Sequence, residues 1–121
     1  MRRCPRGRPA GTGLLPGAAV TAMYIGALTL DILLGDVRSL KQKRSVVRPL
    51  VAEIRRRFPS VAVAETGHLD LHRRAQIAVA VVSATAGNCG EVLDACERVV
   101  AFHPEIEVLS ARQRLIGDDE D

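Results

Sequence analysis

Twenty residues constrain this chain more than any others. Arg38 to Arg57 holds eight of the seventeen basic residues and one acid, Glu53, a net charge of +7. The same stretch carries Val47, Leu50, Val51 and Ile54, continued by Phe58 just after it, at spacings of three and four, the repeat of one side of an α-helix. One segment must therefore supply core packing and concentrated charge together.

Lys41, Arg44, Arg48 and Arg55 fall mostly off that stripe. Arg56 and Arg57 close its C-terminal end, where cations suit the negative pole of the helix dipole. Ser39 with Gln42 three residues on reads as a capping box, whose cap alone is worth about 1 kcal/mol. Pro49 conflicts with this pattern, because inside a helix it removes a backbone bond and crowds the preceding turn. Either the helix starts at Ser39 and kinks near Pro49, or Lys41 to Arg44 form a basic loop and the helix starts near Ser45. The first version is preferred, and Pro59 ends the helix in both.

A chain of 121 residues is expected to form one domain. Residues 1–22 read as an extension to it: Pro and Gly break every regular pattern, and the short apolar run is interrupted by Pro16. Met23 directly precedes the first strand pattern and reads as the natural start, with residues 1–22 a disordered extension or a mis-assigned start. A basic arm for nucleic acid is the functional alternative. Residues 23–116 form the expected domain, and 117–121 an acidic tail. Nothing in the sequence approaches a membrane span.

The expected core holds almost no aromatics: Tyr24, Phe58 and Phe102 are the only ones, so Val, Ile, Leu and Ala must pack it. Three cysteines, an odd number, argue against a disulfide framework and suit a reducing cytoplasm. Cys89 and Cys96, seven apart on a predicted helix, sit roughly 10 Å apart along its axis and read as small core residues.

In chain order, Tyr24–Leu34 alternates as a strand with Leu28, Leu30 and Ile32 inward. The basic helix follows, then strands at Val61–Thr66 and Ala75–Ser83. A second helix is predicted over Cys89–Phe102 with Asn88 as its N-cap, and the last strand lies within Glu105–Ile116. Strand–helix–strand twice over gives two right-handed βαβ units in one antiparallel sheet. This is the α+β ferredoxin-like fold, βαββαβ, with both helices on one face. The opposite face would then show Ala27, Thr29, Ala62, Ala64, Ala78 and Ala80, a small and mostly apolar surface. A homodimer by sheet packing or edge pairing is expected from it; the plainer reading is that alanines tolerate a solvent-facing strand.

Three segments carry a family resemblance: Ser39-Leu-Lys-Gln-Lys-Arg44, Ala64-Glu-Thr-Gly-His68-x-Asp70 and Ala78-Val-Ala-Val-Val-Ser83. Together they resemble the YlxP-like family, domain of unknown function 503, over about residues 23–116. The resemblance implies a ferredoxin-like fold, a small bacterial cytoplasmic protein and no established activity. Relatives of this kind are commonly encoded beside translation and ribosome-maturation factors, which implies an RNA-related role.

The leading expectation is therefore binding of structured RNA, such as rRNA or a ribosomal particle. Phosphates would meet Arg38, Lys41, Lys43, Arg44, Arg48, Arg55, Arg56 and Arg57, with Arg73 and Arg74 extending the patch. A solvated helix face is the plainer reading. Base stacking on the sheet is not expected, because its open face has no aromatics. Glu65, His68, Asp70 and His72 form a second candidate, of residue types that could ligate a metal. A hydrogen-bonded hairpin loop is the preferred reading, and neither metal nor cofactor is expected. No Walker A motif, dinucleotide fingerprint or nucleophile elbow is present, so the chain is read as a non-enzyme. The rival to RNA is a homodimeric regulatory domain taking a protein partner or a small anion, the latter at the loop Gly35–Ser39 ahead of the helix.

Overall fold

A computed structural model describes residues 22–117. The readings made for residues 1–21 and 118–121, the basic arm and most of the acidic tail, lie outside the described residues. Six elements follow in order: β1 (Tyr24–Leu34), α1 (Leu40–Arg57), β2 (Val61–Gly67), β3 (Arg74–Ser83), α2 (Ala86–Ala101) and β4 (Ile106–Gly117). The strands form one antiparallel sheet in the order β2-β3-β1-β4. This is the ferredoxin-like arrangement of two interleaved βαβ units.

The strands build the core by strict alternation. Leu28, Leu30, Ile32 and Leu34 of β1 are fully buried, and their odd-numbered neighbours are only half-buried. Ala75, Ile77, Val79 and Val81 continue the buried face on β3, and Val63 on β2. Against it pack Val47, Leu50 and Ile54 of α1 and Cys89, Leu93, Cys96 and Val100 of α2. The backbone of β1 approaches α2 closely at Gly26. A Cβ there would stand 2.9 Å from Leu93 Cδ1 and 3.1 Å from Cys89 Cβ, so glycine fits and a larger residue overpacks. Burial raises the Cys96 thiol to about 11, which keeps it protonated as a small apolar residue.

α1 follows the preferred version of the sequence reading. Ser39 is its N-cap and accepts from the Gln42 amide at 3.1 Å, and the helix runs through Pro49 without ending. Gln42 Oε1 accepts from the Arg38 amide at 2.6 Å, one residue before the cap. The start of α2 is a correction. Thr85, not Asn88, is the cap: its hydroxyl accepts from the Asn88 amide at 3.1 Å. Asn88 becomes the third helical residue and donates through Nδ2 to Ser83 Oγ at 2.9 Å. Both residues are good caps, and the earlier one wins because it adds three helical residues and leaves the Asn88 side chain free to bond Ser83.

Candidate functional site: a divided set of cations and a polar cluster

The cations read from the sequence as one patch divide into two sets. Lys43 belongs to the interior. Its side chain is 3% exposed, and Nζ lies 2.8 Å from Glu65 Oε2. It also donates to the carbonyls of His68 and Leu71, each at 2.8 Å. The contact with Glu65 is a close ion pair. Lys43 thereby ties the first turns of α1 to the β2–β3 connection and is not open to phosphate, a correction to its expected role. Its position on the wheel explains why: 43, 47, 50 and 54 continue one stripe by four, three and four.

Three arginines are also engaged within the fold. Arg55 Nη2 donates to the Val63 carbonyl on β2 at 2.8 Å. Arg73 Nε donates to the Leu34 carbonyl at 3.2 Å. Arg74 holds Asp31 through both carboxylate oxygens, at 2.7 and 2.8 Å. At the surface, Arg57 pairs with Glu53 at 3.4 Å and Arg38 with Asp36 at 3.7 Å, contacts of small energetic weight. Lys41, Arg44, Arg48 and Arg56 are exposed and make no ion pair among the described residues. Lys41, Arg44 and Arg48 share one flank of α1 and, with Ser45 and Pro49, line a shallow groove.

The expected cluster of Glu65, His68, Asp70 and His72 is likewise split. Glu65 turns to the helix side and meets Lys43, while His68 Nε2 turns to the other side, 3.4 Å from Asp31 Oδ1. His68 adopts φ 57°, the left-handed turn conformation that separates the two directions. Asp70 and His72 are exposed and join neither group. No three metal-type ligands gather among the described residues.

Asp31 was legible only as an outward strand residue, yet it centres a half-buried triad with Arg74 and His68. The hydrogen bonds from Arg74 hold its carboxyl below the ordinary carboxylate range, against the opposing effect of burial. A carboxyl depressed in the folded state adds stability that is complete above its unfolded pKa, near 4, and lost as pH falls through the folded value. Unfolding stability is therefore expected to drop with acid below about pH 4, and Asp31→Asn to flatten that drop. Denaturant titrations at stepped pH check this; equal slopes for both proteins would contradict it.

The loop proposed for a small anion has the wrong charge for one. Residues 34–37 and the start of α1 border a cleft of about 450 Å³, and Asp36 and Glu105 both line it. Two carboxylates repel a phosphate or carboxylate ligand there.

On the sheet face away from the helices, the register aligns three cross-strand rows. Val82, Ile25 and Ile116 form the first. Ala62, Ala80, Ala27 and Arg114 form the second, and Ala64, Ala78, Thr29 and Arg112 the third. Arg112 and Arg114 were missed by the sequence reading: alternation counted from Ile106 and Val108 puts them on the helix side, and the bulge in the β1–β4 register between Asp31 and Ile32 brings them to this face.

The two polar segments that carried the family resemblance meet in space through Lys43, Glu65 and His68. Residues 25–113 match the family described as "Protein of unknown function (DUF503)", and the chain belongs to it. It is similar to "Uncharacterized protein YlxP" of Bacillus subtilis (strain 168), 31% identical over 86 residues, covering 69% of this chain and 89% of that protein. Among solved structures, a de novo designed protein with a ferredoxin fold is similar at a TM-score of 0.44 and 12% identity, over 79% of this chain and 86% of the design. A dimeric ferredoxin-like protein of unknown function from Thermobifida fusca gives a TM-score of 0.42 and 12% identity, over 78% of this chain and 90% of that one. No helix among the described residues is long and apolar enough to cross a membrane.

Proposed function

We propose that this is a non-enzymatic domain that grips the sugar–phosphate backbone of structured RNA, such as the RNA of a ribosomal particle, along α1. One observation carries the reading: Lys41, Arg44 and Arg48 stand exposed on one helix flank with no carboxylate of the described residues paired to them. Seven residues of helix set the outer two about 10 Å apart along the axis. Arg56 adds a further exposed cation in the last turn of the same helix, about 80° around its axis from Arg48. Backbone contact is favoured over base readout because the open sheet face offers alanines where base-stacking sheets offer aromatics.

The test is a titration with a structured rRNA fragment at several salt concentrations. Four neutralised phosphates give a log–log salt slope of about −3 to −3.5. Reversing the three flank cations together (Lys41→Glu, Arg44→Glu, Arg48→Glu) removes binding and leaves the fold, because all three are exposed. Lys43 is excluded from the set, since its loss acts on stability. Unchanged affinity in the triple variant refutes the reading.

A further inference from the structure

We infer that the open face of the sheet is an interface between two copies of this chain, packed face to face about a two-fold axis that crosses the strands at Ala80. The inference rests on relief, area and the position of the polar groups, and is independent of the RNA reading.

Relief comes first. At one end of the face, Val82 and Ile116 are 59% and 47% exposed, and Ile25 lies between them in register. They form a ridge across three strands. Two alanine-rich rows follow, a shallow apolar hollow along the same strands. A two-fold axis across the strands at the Ala80 row reverses the order of rows in the second copy. Each ridge then lies on the partner's Ala78 row, so one surface supplies both knob and hollow, as an isologous contact requires.

The area is sufficient. Eight residues from Tyr24 to Asp31 along four strands cover about 26 by 19 Å. That is roughly 500 Å² per copy and about 1,000 Å² in total, the lower bound for a specific interface. The dimer is therefore a reversible one, not an obligate one.

The polar groups fall where such an interface needs them. The axis sets Arg114 opposite its own copy and Arg112 opposite Ile116, both on the outermost strand, where the long stems lie on apolar surface and the like-charged heads splay into water at the rim. Asp31 lies at the end of the overlap and its partners Arg74 and His68 lie past it, so that ion pair stays at the solvent-reached rim. The helices occupy the outer surfaces of the pair and stay accessible.

Sedimentation velocity on the full chain, from about 5 to 500 μM, tests the inference. The wild-type protein is expected to shift from monomer to dimer across this range. Ala80→Glu sets two carboxylates against each other at the axis and is expected to stay monomeric with unchanged far-UV circular dichroism, because Ala80 is already exposed. An equimolar mixture of Ala80→Glu and Ala80→Lys is expected to recover the dimer, and neither alone. A wild-type protein that remains monomeric at 500 μM overturns the inference. A dimer that survives in Ala80→Glu overturns it too and moves the contact to a sheet edge, while a mixture that fails to recover overturns the placement of the axis.

Discussion

Replacing Lys43 by methionine is expected to destabilise the domain by about 3–5 kcal/mol, the range for removing one partner of a buried ion pair. The mechanism has two parts. Glu65 keeps a charge that is largely shielded from water and loses its only ion-pair partner among the described residues. The carbonyls of His68 and Leu71 lose the donor that folds the β2–β3 connection against α1. Together these amount to a large share of the 5–15 kcal/mol that holds a typical domain together. For a domain of this size the melting temperature falls by about 15 °C or more. Thermal unfolding followed by circular dichroism checks it. Adding Glu65→Leu removes the stranded charge and is expected to recover part of the loss. A Lys43→Met protein as stable as the wild type would mean the ammonium is solvated, contrary to its 3% exposure. The result matters for any binding experiment, because a Lys43 charge reversal abolishes affinity by unfolding the domain and imitates a lost contact.

The second large effect runs the other way. Pro49 lies ten residues into α1, with no amide hydrogen to offer the Ser45 carbonyl and a ring that crowds it. Pro49→Ala restores that bond and is expected to stabilise the helix by up to about 3 kcal/mol. Pro49 is exposed, so removing its ring uncovers no core. The melting temperature should rise, and because Pro49 lines the groove beside Lys41, Arg44 and Arg48, RNA affinity should fall in the same variant. A melting temperature that falls would overturn this prediction.

The architecture was legible because its signals are periodic. Alternation in Tyr24–Leu34 and the three–four stripe of α1 each point to one buried side, and the observed two-layer arrangement buries both. The second helix start was misread because Thr85 and Asn88 are equally good caps three residues apart, and only the turn at Ser83 decides between them. The candidate site was legible by residue type and not by destination. Arg55, Arg73 and Arg74 look like Arg44 and Arg48 in a sequence, and tertiary position alone sends the former to carbonyls and Asp31. Lys43 is the exception, since its place on the apolar stripe was countable and composition drew attention away from it. Asp31 gave no such sign: its partners come from residues 68 and 74, more than thirty-five positions away.

The contact between Arg55 and the Val63 carbonyl bears on solubility. β2 begins Val61-Ala-Val-Ala64, an uncharged β-prone run on the lateral strand of the sheet, the kind of border that recruits further chains into fibrils. A guanidinium seated on one of its outward carbonyls occupies the acceptor an incoming strand would need. The helix thus works as a gatekeeper against polymerisation, and Arg55 guards a border as well as carrying charge.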